Sequence, residues 1–132
     1  MTDVRRISSG AAWEPIVGYS RAVVAGPYVE VSGTAPPIVD GEVEGGDDAY
    51  EQTRACLRVI ETALEQAGAS FVDVIRTRIF VTDISRWEEF GRAHGEVFGD
   101  IRPATSMVEV SGLIDPRMLV EIAATAYTGA VR

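Results

Sequence analysis

In the stretch "VDVIRTRIFVTD", Val72 to Asp83, side chains alternate with period two: Ile75, Thr77, Ile79 and Val81 point one way, Val74, Arg76, Arg78 and Phe80 the other. The pattern predicts a strand with one strongly apolar face, and that face has to be covered. Two segments of helical period flank it and can supply the cover. From Ala49 to Ala67, Cys56, Ile60, Ala63, Leu64 and Ala67 recur on one stripe opposite Glu51, Arg54, Arg58, Glu61 and Glu65. Asp47 and Asp48 suit its N-terminus, and Gly68 supplies a stop. After the strand, Trp87, Phe90, His94, Val97 and Phe98 form a second stripe. Ser85 and Glu88 have capping-box spacing ahead of it, and Gly99 closes it.

Four more segments read as strands. "DVRRISS" and "SRAVVAGPYVEVSG" are short, rich in Val and Ile, and punctuated by Gly26-Pro27, which predicts an opening β-meander with a hairpin turn. "TAPPIVDGEVEGG" reads as a loop, whereas "RPATSMVEV" and "MLVEIAATAYTG" alternate as strands. The order meander, helix, strand, helix, strand, strand predicts an α+β fold, a mixed sheet with two helices packed on one face. The opposite face, carrying Arg76, Arg78 and Phe80, is left to solvent or to further copies of the chain.

A single domain spanning 1–132 is expected, long enough to bury about two-thirds of its unfolded surface without staples. Hydrophobic residues at 46% and charged residues at 24% separate the chain from disordered sequences. Its net charge of -8 repels phosphate backbones, and no Lys/Arg run interleaved with aromatics offers a platform, so no nucleic-acid partner is expected. The opening "MTDVRRISSGAAWEPIVGYS" lacks the apolar core of a signal peptide, and no apolar run reaches the roughly 18 residues of a membrane span. A cytoplasmic protein with no membrane partner is the expectation. One cysteine, Cys56, excludes an internal disulfide; His94 stands without nearby ligands, and the acidic loop "DGEVEGGDD" lacks calcium-loop spacing. No metal and no cofactor are expected.

The stretch "FGDIRPATSMVEVSGLIDP" ends a helical pattern, breaks it at Arg102-Pro103 and enters a strand through Thr105. With "GYSRAV" (Gly18 to Val23), "VSGTAP" (Val31 to Pro36), "DVIRTRIFVTDI" (Asp73 to Ile84) and "VEIAATA" (Val120 to Ala126), its "RPATSMVEV" completes an ordered set of motifs that resembles the Rid family, also called YjgF/YER057c/UK114. The resemblance runs from about Gly18 to Tyr127. It implies a chorismate-mutase-like fold, a homotrimer with the sheets forming a central barrel, and clefts between subunits. The activity it implies is cofactor-free hydrolysis of reactive 2-imino acids to 2-oxo acids and ammonia.

The family pattern carries over residue by residue. Tyr19 matches the cleft tyrosine, Ser32 and Gly33 match the "SG" of the pocket strand, and Glu121 matches the glutamate that orients the hydrolytic water. In typical deaminating members an arginine follows "RPA" and grips the substrate carboxylate; here that position is Thr105, whose hydroxyl carries no charge. Losing a charged hydrogen bond there costs roughly 1.5–3 kcal/mol of binding. The usual glutamine after "SG" is Thr34, and the two shorter polar side chains imply a roomier site for a larger or less anionic ligand.

Glu121 is the candidate catalytic residue, since it alternates with Val120 and Ile122 on a strand expected to be central, where burial raises a carboxyl pKa. The candidate substrate-binding residues are Tyr19, Ser32, Gly33, Thr34, Thr105, Ser106 and Arg102. Ser106 reads equally as pocket hydroxyl or strand filler. Arg102, expected extended before Pro103, can supply the charge that Thr105 lacks, although surface pairing is the commoner role of an arginine. Arg78 is expected to be structural, His94 packed and hydrogen-bonded, Cys56 a core residue, and Trp13 freer to stack on a ligand than Trp87. The expected function is hydrolytic deamination of an imine or enamine metabolite held in clefts between subunits of a homotrimer. The alternative is a non-catalytic trimer that senses or carries a small metabolite.

Overall fold

The computed structural model describes residues 4–129. Along the chain come β1 (Val4–Ile7), β2 (Ala22–Ala25), β3 (Tyr28–Thr34), β4 (Ile38–Val39), β5 (Glu42–Val43), α1 (Ala49–Gln66), β6 (Val74–Val81), α2 (Trp87–Phe98), β7 (Ala104–Glu109) and β8 (Val120–Tyr127). Six strands form one sheet in the order β1-β2-β3-β8-β6-β7. Only β6 and β7, joined across α2, pair in parallel, so the sheet is mixed as the element order predicts. β4 and β5 pair as a separate small ribbon inside the segment read from sequence as loop.

Period-two patterning decides which face the helices cover. Val29, Val31, Thr77, Ile79, Val81, Val120, Ile122, Ala124 and Ala126 are each no more than 3% exposed, and they pack with Ile60, Leu64 and Phe90 of the helices. α1 starts where Asp48 accepts a hydrogen bond from the Glu51 N–H at 3.0 Å, and Gly68 takes the left-handed step after it with φ 80°. Gln52, fully buried in α1, fastens the approach to β8: its Nε2 donates to the Arg117 carbonyl at 2.9 Å, and its Oε1 accepts from the Leu119 N–H at 2.7 Å.

Several local expectations need correction. At the start of β6 the register against β8 shifts between Val74 and Arg76, so Val74 is buried at 3% and Ile75 is 47% exposed, the reverse of strict alternation. An irregularity of one residue flips every side chain on its far side. Ser85 does not open α2. It lies in a short turn, Ile84–Arg86, where Asp83 Oδ1 accepts from both the Ser85 N–H (3.0 Å) and the Ser85 hydroxyl (2.6 Å), an ionised carboxylate being the stronger acceptor. Trp87 therefore begins the helix and is 56% exposed rather than part of the buried stripe. At the other end Gly99 stays helical at φ −55°. The left-handed residue is Arg102, φ 57°, whose N–H reaches the Phe98 carbonyl at 2.8 Å and satisfies an end of α2. Arg102 is thus not extended. No helix among the described residues is long and apolar enough to cross a membrane.

Candidate functional site

A turn of wide helix, Glu14–Gly18, delivers Tyr19 to the edge of β2. The turn is anchored by Glu14, 6% exposed, which accepts from the Ser8 hydroxyl (2.9 Å), the Ser9 hydroxyl (2.6 Å), the Ser9 N–H (3.1 Å) and the Ala11 N–H (3.3 Å). Burial alone would push the Glu14 carboxyl up, but these donors together hold it below its usual value.

Arg21 is the hub that sequence reading missed. Its side chain is 6% exposed. It donates to the Gly33 carbonyl (2.8 Å), the Thr34 hydroxyl (3.0 Å), the Ser9 hydroxyl (3.3 Å) and, at 3.4 Å, the Tyr19 hydroxyl. Ser9 thereby links the two buried charges of Glu14 and Arg21. The only signal in the sequence was position, since Arg21 lies between Tyr19 and Ala22 in "GYSRAV"; alternation cannot foretell a guanidinium turned inward.

Around this hub the fold gathers Tyr19, Ser32, Gly33, Thr34 and Glu121. The Ser32 hydroxyl donates to the Ser20 carbonyl at 2.7 Å, and the Thr34 hydroxyl donates to the Ser32 carbonyl at 2.8 Å while accepting from Arg21. Thr34 is only 1% exposed, so it shapes the wall rather than offering an open hydroxyl. Arg21 and Thr34 border a cleft of about 530 Å³ that runs past Trp13, Pro36 and Val59.

Glu121 lies across Gly33. A Cβ placed on Gly33 would fall against the carboxylate, 2.9 Å from its Cδ and 3.4 Å from its Cγ, so only glycine leaves that space to Glu121. Burial pushes the Glu121 carboxyl above its usual value, with the positive charge of Arg21 pulling the other way. A carboxyl raised in the folded state adds stability below its unfolded pKa, and that stability is lost as pH rises through the folded value. Glu121→Gln should accordingly melt above the wild type at pH 7, with the difference vanishing near pH 4 in paired thermal melts.

The remaining predicted residues stand elsewhere. Thr77 pairs with Thr105, whereas Phe80 pairs with Glu121, and these two positions of β6 face opposite sides of the sheet. Thr105 therefore points to the helix side and Glu121 to the open side. The Thr105 and Thr77 hydroxyls are 2.7 Å apart, and Thr77 is 2.9 Å from Nε2 of His94, whose ring packs on Phe98 at 4.6 Å. His94 is the packed, hydrogen-bonded histidine expected, held below its usual pKa by burial. Ser106 is on the open face, accepting from Arg76 at 3.3 Å. The Arg102 side chain is exposed and makes no hydrogen bond or ion pair with the described residues, and Arg78 lies exposed on the open face. Burial pushes the Cys56 thiol up, the state of an inert core sulfur. No three His, Cys, Asp or Glu side chains among the described residues converge as a metal site.

A mixed sheet backed by two helices, with a half-buried glutamate lying over a bare glycine beside a buried arginine, defines the class of protein. The family described as Endoribonuclease L-PSP matches residues 9–128. The crystal structure of Rv2704 from Mycobacterium tuberculosis, a member of the YjgF/YER057c/UK114 family, superposes with a TM-score of 0.87 at 56% identity over 95% of this chain and 99% of that one. A Streptomyces coelicolor protein, SCO2049, is 40% identical over 97% of this chain and 95% of its own length. The RutC family protein PYRAB12510 of Pyrococcus abyssi is 36% identical over 86% of this chain and 89% of its own. The chain belongs to the YjgF/YER057c/UK114, or Rid, family.

Proposed function

We propose that this protein is a cofactor-free hydrolase of a reactive imine or enamine metabolite, releasing ammonia and leaving a carbonyl compound. The observation that carries the reading is the Glu121 carboxyl held over Gly33 with raised proton affinity. Water adds to the carbon of the protonated C=N group while the Glu121 carboxylate takes one water proton, giving a neutral carbinolamine. Glu121 passes that proton to nitrogen. As the C–N bond breaks and ammonia leaves, the carboxylate takes the hydroxyl proton, so the C–O bond becomes the carbonyl and the proton is then released to solvent or to the departing ammonia. Such chemistry asks for an oriented water and proton management, which one tuned carboxyl supplies. Tyr19, Ser32 and Gly33 border the ligand, with Arg21 and Thr34 holding the wall.

Because Thr105 and Glu121 face opposite sides of one sheet, a ligand touching both must lie between two copies of the chain. This supports a homotrimer with clefts between subunits, in which Thr105 comes from a neighbour, whereas Ser106, on the opposite face of the same strand, stands outside that contact. A monomeric mass by light scattering at working concentration would remove that half of the site. Endoribonuclease activity, which the family's description carries, fits poorly with a net charge of -8 and a single histidine.

The test is ammonia release from 2-iminopropanoate and 2-iminobutanoate generated in situ, beside Glu121→Gln and a spontaneous-hydrolysis blank. Acceleration by the wild type that falls at least 100-fold in Glu121→Gln is expected. A folded protein that accelerates neither substrate favours the second reading, a metabolite-binding protein without turnover, which the uncharged Thr105 supports.

A further inference from the structure

The hydroxyls of Thr105 and Thr77 and the imidazole of His94 form a chain in which each oxygen has one proton to place. Thr77 is 1% exposed, so its hydroxyl must be satisfied by its two neighbours, His94 Nε2 at 2.9 Å and Thr105 Oγ1 at 2.7 Å. Thr105 has a further partner, the Pro103 carbonyl at 3.1 Å, which can only accept. Only with a proton on Nε2 does every contact in the chain receive a donor; with Nε2 bare, the Pro103 carbonyl goes without one. If His94 Nε2 carries a proton, it donates to Thr77, Thr77 donates to Thr105, and Thr105 donates to Pro103. If Nε2 is bare, Thr105 donates to Thr77 and Thr77 donates to Nε2. In either arrangement the single proton of Thr105 is committed to the protein, and at least one lone pair of its exposed oxygen is left facing outward. Protonating His94 enforces the first arrangement and changes nothing at that outer face.

We infer that Thr105 is an obligate hydrogen-bond acceptor that selects, at its place in the cleft, a ligand presenting an N–H donor such as a primary amide, and disfavours a carboxylate there. A carboxylate can bind Thr105 only by breaking one of its internal hydrogen bonds, which are worth about 0.5–1.5 kcal/mol, or roughly two- to tenfold in affinity. This inference rests on the proposed ligand cleft including Thr105, but it concerns binding and not turnover.

Pyruvate and pyruvamide are stable, similar in shape and differ only in carboxylate against amide, so they serve as probes in calorimetric or NMR titrations of the intact protein. The wild type is expected to bind pyruvamide about tenfold more tightly than pyruvate. Thr105→Val, which keeps shape and loses the acceptor, should erase most of that preference by weakening pyruvamide alone. Thr77→Val leaves the Pro103 carbonyl to take the Thr105 proton, so the preference for pyruvamide should persist in that variant. Stronger binding of pyruvate by the wild type, a preference that survives Thr105→Val in a folded protein, or binding of neither probe at millimolar concentration overturns the inference. A protein that passes this titration yet releases no ammonia refutes only hydrolysis, so the two failures are distinguishable.

Discussion

Replacing Gly33 by alanine is expected to lower ammonia release at least 100-fold while leaving thermal stability within about 1 kcal/mol of the wild type. The backbone at Gly33 is not left-handed, so alanine adopts it without strain, and the difference lies in what the new methyl meets. It meets the carboxylate end of Glu121. That end belongs to a flexible side chain and can swing aside at small cost, which protects the fold and removes the carboxyl from its place. Displacement of a catalytic group by an ångström or so is worth about 100-fold in rate. Turnover near the wild-type value in a folded Gly33→Ala protein would mean that Glu121 does not act from its place over Gly33. A variant that fails to fold would mean that the carboxylate is clamped in place and cannot swing aside. Thermal melts beside the assay separate these outcomes.

Phe90→Ala should be the most damaging single truncation in the core. Phe90 is fully buried on α2 and heads the largest enclosed side chains. Removing its ring forfeits transfer energy and leaves a cavity that packed neighbours fill only in part, a loss of about 3–5 kcal/mol. For a chain of this length that amounts to roughly 10–18 °C in melting temperature. Because α2 holds His94 against Thr77, the same variant should disturb the Thr105 chain, visible as a shifted His94 ring resonance in the folded fraction. A drop below 3 °C would show that the helix repacks as a unit. Trp87→Ala, by contrast, removes a ring that is 56% exposed and should cost far less.

Local chemistry made much of the fold legible. Alternation in β6 and β8, the helical stripe of α1, the cap at Asp48 and the turn at Gly26-Pro27 are properties of neighbouring residues and need no knowledge of the rest of the chain. Where reading failed, two local signals competed at the ends of α2, and at β6 a distant strand set the facing. The Asp83 carboxylate takes both the N–H and the hydroxyl of Ser85, so that hydroxyl is spent on Asp83 and does not cap α2. The terminus of α2 fell to Arg102 rather than Gly99 because the Phe98 carbonyl needed a donor from that residue. Ile75 was turned outward by the register shift with β8, a strand that follows it by more than forty positions.

The site divides in the same way. Glu121, Gly33 and Tyr19 could be named from motifs, since their residue types and spacing are written in the chain. Arg21 could not, because turning a guanidinium inward requires the Gly33 carbonyl and Thr34 of β3 and Ser9 of another segment to converge on it. Sequence alone determined which segments alternate and which spiral, because covalent order sets those periods. Tertiary structure alone decided that Thr105 and Glu121 lie on opposite faces of the sheet and that the Thr105 proton is taken. Facing and proton sharing depend on which strands pair and in what register, and those pairings join residues far apart in the chain.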